Sequence, residues 1–182
     1  MPRKPFPNLI IISGSGRKVG KTFLVTALIR AFSPGIPLIA LKISPHVHDA
    51  LGNTALRATA KGARIFQDLG AHHKNSGQFL EAGALQSYFM ETEDNCLESA
   101  FDIFMKECNP TNNPVICESG ALSILMDPGI SIFIRGSNIH LPDHKQAAMQ
   151  QADLVLPARL FSTAEIIGRI SFSENRWNLR NG

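Results

Sequence analysis

The chain has 182 residues, of which 44% are hydrophobic and 18% are charged, and its formal net charge is +3. This length and composition are typical of one globular domain that buries a sizeable core. The positive residues form no basic stretch interleaved with aromatic residues, and the apolar runs are too short to cross a bilayer, so nucleic-acid and membrane binding are not expected.

A short apolar run opens directly onto a glycine-rich, basic turn near the amino terminus. Residues 9–13 are almost continuously apolar, which predicts a strand buried on both faces. The turn GSGRKVGKT follows, and residues 21–32 then carry apolar side chains at helical spacing. A strand, a glycine-rich loop and a helix in this order are the layout of a P-loop, which binds phosphates. The sequence therefore predicts a nucleoside triphosphate site at this turn.

The turn matches most of the P-loop pattern G-x-x-x-x-G-K-[ST]. Gly20, Lys21 and Thr22 form its end, whereas Ser15 stands at the position of the first glycine. Lys21 is expected to reach the β and γ phosphates, and the Thr22 hydroxyl to ligate Mg²⁺. The residues expected to contact the nucleotide are Gly14, Ser15, Gly16, Arg17, Lys18, Val19, Gly20, Lys21 and Thr22.

A second apolar strand is predicted over Ile36–Ile43, with Lys42 near its carboxyl end. Because this end lies on the same edge of the sheet as the P-loop, Lys42, His46 and His48 are predicted to contact the nucleotide or a second substrate. An acid–base pair, a metal site and an ordinary solvated role are the alternatives for the two histidines. From 44 to about 77 the chain has no strong periodicity, which predicts a mobile lid.

The rest of the chain alternates between predicted helices and strands. Helices are predicted over 78–84, 93–108, 143–151 and 163–168, strands over 85–90, 115–117, 130–134 and 154–156, and a hairpin over 170–179. This alternation predicts a single α/β nucleotide-binding domain over 1–182. The expected architecture is a three-layer P-loop NTPase fold with a mostly parallel sheet and helices on both faces.

An acidic residue, Glu118, follows the short strand predicted over 115–117. At the end of a buried strand beside a P-loop, a carboxylate can hold Mg²⁺ or orient a nucleophile. Lys21 and Glu118 are therefore the predicted catalytic residues, and Thr22 and Glu118 the predicted metal ligands. A loop acid that caps the next segment is the alternative for Glu118.

Three segments, GSGRKVGKTFLVTALIRAF, LKISPHVHD and VICESGAL, together resemble the molybdopterin-guanine dinucleotide biosynthesis protein B (MobB) family. The resemblance covers roughly residues 9–50 and 115–120, and the rest of the chain only in outline. It implies a GTP- or ATP-binding protein with Mg²⁺ that hydrolyses the nucleotide slowly and serves cofactor assembly. It also implies a nucleotidyltransferase as partner protein and allows a homodimer.

The resemblance assigns roles position by position. Gly16, Lys18, Gly20, Lys21 and Thr22 correspond to residues that bind phosphate and metal. Lys42 matches the lysine that ends the second strand of the family, and His46 and His48 approximate the histidines after it. Glu118 matches the glutamate of a (V/I)EG strand end, although here Ser119 separates it from Gly120.

Other functions are compatible with the same residues. The protein could be an ATP-dependent small-molecule kinase or ligase, in which Lys42, His46 and Glu118 position an acceptor. It could also be an adaptor whose lid orders on nucleotide binding without useful turnover. GTP is expected over ATP, although the guanine-reading motif NKxD is absent. Three widely spaced cysteines without a CxxC pair, and no visible signal peptide, predict a cytoplasmic location.

Overall fold

The structure is a computed structural model that describes residues 3–45, 53–70, 75–137 and 140–180. Its strands are β1 (Lys4–Gly14), β2 (Ile39–Ser44), β3 (Thr54–Ala60), β4 (Ala63–Asp68), β5 (Gln86–Thr92), β6 (Val115–Glu118), β7 (Met126–Arg135), β8 (Leu154–Pro157), β9 (Ile170–Ser173) and β10 (Arg176–Leu179). Its helices are α1 (Lys21–Phe32), α2 (Asn75–Glu81), α3 (Leu97–Ile103), α4 (Leu122–Leu125), α5 (Asp143–Gln150) and α6 (Thr163–Arg169).

Eight of the strands form one mixed sheet, in the order β3-β4-β5-β2-β6-β1-β7-β8. β3 pairs antiparallel with β4, and β4 pairs antiparallel with β5. From β5 to β8 the neighbouring strands run parallel. The carboxyl ends of β1, β2, β6 and β7 therefore lie at one edge of the sheet.

The predicted three-layer P-loop NTPase fold with a mostly parallel sheet was wrong. The structure is α/β, but the antiparallel β3-β4-β5 unit makes the sheet mixed. The antiparallel β3–β4 pair has a physical cause in the two-residue connection Lys61–Gly62, where Gly62 has a φ of 71°. So short a connection allows only antiparallel pairing, whereas a parallel pair needs a long crossover.

Two strands of this unit, β3 and β4, lie in the segment 44–77, for which the sequence predicted a lid and no strands, whereas β5 corresponds to the strand predicted over 85–90. Alternation along β3 and β4 is weak, since several side chains on both faces remain exposed or half-buried. Residues 46–52 and 71–74 lie outside the described residues. The mobility of this segment stays a prediction.

Residues 8–14 of β1 are buried on both faces, as the continuous apolar sequence over 9–13 predicted, whereas the strand begins with exposed residues. Ile10 and Ile12 belong to a core layer with α1, α2 and α6, whereas Leu9 and Ile11 belong to a second layer with α3. Aliphatic side chains at alternate positions of a strand point to opposite faces, so a central strand needs apolar residues at every position. The glycine-rich turn therefore starts from the buried end of a central strand.

Most of the predicted elements are confirmed, with shifted bounds. α1 spans the predicted residues 21–32, and β1 and β7 extend beyond the strands predicted over 9–13 and 130–134. The helix predicted over 93–108 is interrupted instead: a 3₁₀ turn (Asp94–Cys96) precedes α3 and a π-helical turn (Phe104–Cys108) follows it.

The hairpin predicted at the carboxyl end of the chain is confirmed as β9 and β10. Glu174 and Asn175 form its turn, with φ values of 53° and 56°. The single Trp of the chain, Trp177, is buried, and its indole N–H donates to the Asn8 carbonyl at 3.0 Å. Because this residue ties the hairpin to β1, its fluorescence can report unfolding of the domain.

The helices are short. α1, with 12 residues, is the longest helix in the described part of the chain. Across the described ranges, no helix has the length and apolar character that a membrane crossing requires. The cytoplasmic location stays a prediction.

Candidate functional site

The glycine loop, residues 14–20, connects β1 to α1 at the edge where the parallel strands end. β6 lies beside β1, and β2 lies beside β6. The loop is therefore next to Lys42 of β2 and Glu118 of β6, whose backbones are direct register partners. Three separate stretches of the sequence meet here because their strands are neighbours in the sheet.

Two hydrogen bonds anchor the beginning of the glycine loop to the end of β7. The Ser15 N–H donates to the Ile134 carbonyl at 3.0 Å, and the Gly136 N–H donates to the Ser15 hydroxyl at 2.8 Å. Gly14 has no room for a side chain, since a Cβ there would lie 2.8 Å from the Ile134 carbonyl oxygen. Ser15 therefore fixes the loop and does not offer its N–H to a ligand.

The middle of the glycine loop has an unusual backbone. Lys18 and Gly20 have φ values of 59° and 111°. A left-handed conformation at a residue with a side chain costs about 1–2 kcal/mol, and such strain is common at binding sites. Among the described residues, no acceptor takes a hydrogen bond from the N–H groups of Gly16, Arg17, Lys18 and Gly20. Successive N–H groups in turn conformations can form a concave anion site.

Lys21 begins α1 and folds back over the glycine loop. Its ammonium donates to the Gly16 carbonyl at 2.6 Å. Burial lowers the pKa of Lys21 from its usual value, and repulsion by Lys42 and Lys145 lowers it too, whereas Glu118 acts in the opposite direction. This lysine is a partly desolvated cation, which a phosphate would stabilise strongly.

Glu118 joins α1 to β2 through its two carboxylate oxygens. The Thr22 hydroxyl donates to Oε2 at 2.7 Å, and the Lys42 ammonium donates to Oε1 at 3.2 Å. Glu118 is buried, and the Lys42 side chain is only 17% exposed. Since the pair is largely removed from water, it has a fixed geometry that surface ion pairs lack.

Sequence reasoning missed a third lysine at the site, Lys145 in the first turn of α5. Its ammonium donates to the Ser15 carbonyl at 2.9 Å. The helix α5 was predicted, but nothing in its sequence distinguishes Lys145 from a surface lysine. Only the contact of α5 with the end of β1 and with α4 brings it here.

The part of the chain that the structure describes supplies few oxygen ligands for a metal at this site. Within residues 3–45, 53–70, 75–137 and 140–180, no three His, Cys, Asp or Glu side chains gather as a metal cluster. Mg²⁺ commonly takes one or two protein oxygens and completes its octahedron with phosphate oxygens and water. The Thr22 hydroxyl and the Glu118 carboxylate fit that mode of binding, in which the nucleotide provides other ligands.

A cleft of about 270 Å³ opens beside these residues. It is lined by Ile43, Pro45, Thr92, Asp94, Leu97, Ser119, Gly120, Ala121, His144 and Lys145. Ser119 shapes its floor, because the hydroxyl accepts the Leu122 N–H at 3.1 Å and so begins α4. The cleft combines apolar walls with charged groups, as small-molecule sites do.

The structure brings most of the predicted site residues together. Gly14 to Thr22, Lys42 and Glu118 lie at one edge of the sheet, although the Val19 side chain is buried in the core. The side chains of Arg17 and Lys18 are exposed. His46 and His48 lie outside the described residues.

Comparison of the chain with protein-family models, with curated proteins and with solved structures finds no match. The resemblance to the MobB family therefore rests on the motif residues quoted above and stays a prediction.

Proposed function

We propose that this protein binds the Mg²⁺ complex of a purine nucleoside triphosphate, GTP in preference to ATP, at the glycine loop and hydrolyses it slowly. The observation that carries the proposal is the convergence of the loop, Lys21, Thr22, Lys42 and Glu118 at one edge of the sheet. A strained loop with several N–H groups that have no acceptor among the described residues, two cations and one carboxylate suit a metal-bound polyphosphate.

Each residue has a role in this proposal. The loop N–H groups and the Lys21 ammonium bind phosphate oxygens, with Lys21 leaving the Gly16 carbonyl to do so. Thr22 and Glu118 would hold Mg²⁺, which supplies charge neutralisation on the phosphates. Lys42 holds the Glu118 carboxylate in position through its 3.2 Å contact and adds positive charge beside the phosphates.

The biological setting follows from the resemblance alone. We propose that the protein assists the biosynthesis of molybdopterin guanine dinucleotide or a related cofactor, beside a nucleotidyltransferase. Slow hydrolysis that a nucleotidyltransferase accelerates would support this setting. A hydrolysis rate that is the same with and without such a partner would count against it.

The cleft next to Glu118 favours a second candidate function, a small-molecule kinase or ligase. Its position between the ends of β2, β5 and β6 would let an acceptor approach a phosphate bound at the glycine loop. A kinase shows nucleotide turnover that depends on the acceptor, whereas a slow hydrolase releases phosphate with water alone.

Phosphate release tests the proposed function directly. Wild type, Lys21→Ala and Lys106→Ala would be incubated with Mg²⁺ and either GTP or ATP, and inorganic phosphate would be measured over time. Lys106 is a matched control, because its side chain is 82% exposed and pairs with the adjacent Glu107. We expect slow release by wild type and Lys106→Ala and none by Lys21→Ala. Equal release by all three proteins would contradict the assignment of the site.

A further inference from the structure

Two lysines donate hydrogen bonds to consecutive carbonyl groups of the glycine loop. Lys21 donates to the Gly16 carbonyl at 2.6 Å, and Lys145 donates to the Ser15 carbonyl at 2.9 Å. One lysine comes from the helix that follows the loop, and the other comes from α5, far along the chain. Both ammonium groups are thus held at the place where the proposed function puts a polyphosphate.

Both partners of the Lys145–Ser15 contact are held in place by further hydrogen bonds. Ser15 is anchored to Ile134 and Gly136 at the end of β7, so the carbonyl that receives Lys145 is fixed. On the other side, the Lys145 N–H donates to the Pro142 carbonyl at 2.9 Å, within the first turn of α5. A half-buried lysine between two anchored elements is not a freely moving surface side chain.

Two ammonium groups are held close together at the loop. Those of Lys21 and Lys145 donate to adjacent carbonyl groups, while the third lysine of the site, Lys42, is paired with Glu118. A neutral carbonyl is a weaker partner for an ammonium group than an anionic oxygen. A bound polyphosphate would therefore relieve the repulsion among the lysines and give Lys145 a stronger acceptor.

Lys145 also faces the cleft that contains Ser119 and His144. It is therefore placed between the glycine loop and the space from which water or an acceptor would approach. The terminal phosphate of a bound nucleotide must face this space for water or an acceptor to reach it, so a cation at this position would lie beside that phosphate.

We propose that Lys145 binds the terminal phosphate of a nucleoside triphosphate at the glycine loop, on the side that opens to the cleft. On binding, its ammonium exchanges the Ser15 carbonyl for an oxygen of that phosphate. This inference rests on the proposed function, and it adds a binding residue that the loop pattern does not contain. In the competing explanation, Lys145 has a structural role only, and its hydrogen bond to Ser15 holds α5 against the loop.

Calorimetric titration of charge variants separates the two explanations. Lys145→Met removes the charge at similar length, Lys145→Arg keeps the charge, and Lys106→Met is the control for loss of an exposed lysine. Each protein would be titrated with GTP and GDP in the presence of Mg²⁺, and also with inorganic tripolyphosphate and pyrophosphate. The measured quantity is the ratio of triphosphate to diphosphate affinity.

We expect Lys145→Met to weaken triphosphate binding by about tenfold or more and diphosphate binding much less, because only the triphosphate reaches Lys145. Lys145→Arg should restore most of the ratio, and Lys106→Met should leave it unchanged. If Lys145 only holds α5 against the loop, its loss would distort the loop and weaken the binding of triphosphate and diphosphate equally. An unchanged ratio of the two affinities in Lys145→Met would therefore overturn the inference. If wild type binds no triphosphate, or Lys21→Ala binds it equally well, the proposed function fails and this inference fails with it.

Discussion

The Thr22 hydroxyl donates a 2.7 Å hydrogen bond to the Glu118 carboxylate, and this contact joins the first turn of α1 to the end of β6. Because Lys42 binds the other carboxylate oxygen, Glu118 connects three elements of the sheet edge. A metal ion that enters the site must share these oxygens, and the Thr22 proton must find another acceptor. Metal binding is thereby linked to the geometry of the glycine loop.

The first prediction concerns the charge of Glu118. In Glu118→Gln the side chain keeps its shape and one acceptor for Thr22, but it loses the negative charge that pairs with Lys42 and that would hold Mg²⁺ in the proposed function. We expect triphosphate binding to persist while Mg²⁺-dependent phosphate release falls by about 10–100-fold. Calorimetry and a phosphate-release assay measure the two effects, and Glu107→Gln, an exposed glutamate, is the control. An equal loss of binding and turnover would mean that Glu118 serves nucleotide binding and has no separate role in the hydrolytic step.

The second prediction concerns pH. The lowered pKa of Lys21, caused first by burial, means that this group loses its proton below its usual value of 10.5 when no ligand is bound. Binding to phosphate requires the charged form, so triphosphate affinity should fall as pH rises through that lowered pKa. Lys21→Arg stays charged over the same range and should show no such fall, even if its affinity is lower.

Calorimetric titration from about pH 7 to about pH 10 checks this behaviour. In wild type, binding should take up protons at the alkaline end, which titrations in buffers of different ionisation enthalpy detect. An alkaline loss of affinity that is the same in wild type and Lys21→Arg would assign the effect to another group.

The third prediction uses two glycines of the loop that differ in their surroundings. A Cβ at Gly14 would lie 2.8 Å from the Ile134 carbonyl, whereas a Cβ at Gly16 meets nothing within 4 Å. Gly14→Ala should therefore destabilise the fold by about 1–3 kcal/mol, and Gly16→Ala by less than about 0.5 kcal/mol. Urea unfolding followed by Trp177 fluorescence measures both values. If Gly14→Ala is as stable as Gly16→Ala, the loop does not pack closely against the Ile134 carbonyl of β7.

The sequence predicted the local elements well wherever a strong hydrophobic pattern or a clear turn dominates. The apolar run of β1, the helical spacing of α1 and the turn at Glu174 and Asn175 each act over a few neighbouring residues. The strands β3 and β4 were missed because their side chains are largely exposed or half-buried and their pairing depends on contacts across the sheet, whereas the buried strand β5 was predicted.

The same distinction applies to the site. The glycine loop is encoded in a contiguous motif. Lys42 and Glu118 could be placed because Lys42 lies near the end of one predicted strand and Glu118 directly follows another. Lys145 could not be predicted, since its role depends on the packing of α5 against the end of β1 and not on its neighbours in sequence.

The most direct test of the central claim is calorimetric titration of wild type and Lys21→Ala with GTP and ATP, with and without Mg²⁺. We expect wild type to bind the triphosphate in a Mg²⁺-dependent manner, and Lys21→Ala to lose binding while it unfolds at the same urea concentration as wild type. GTP preferred over ATP agrees with the proposed function, and ATP preferred over GTP supports the kinase or ligase. Unchanged affinity in Lys21→Ala, or no binding by wild type, would contradict the assignment of a nucleotide site to the glycine loop.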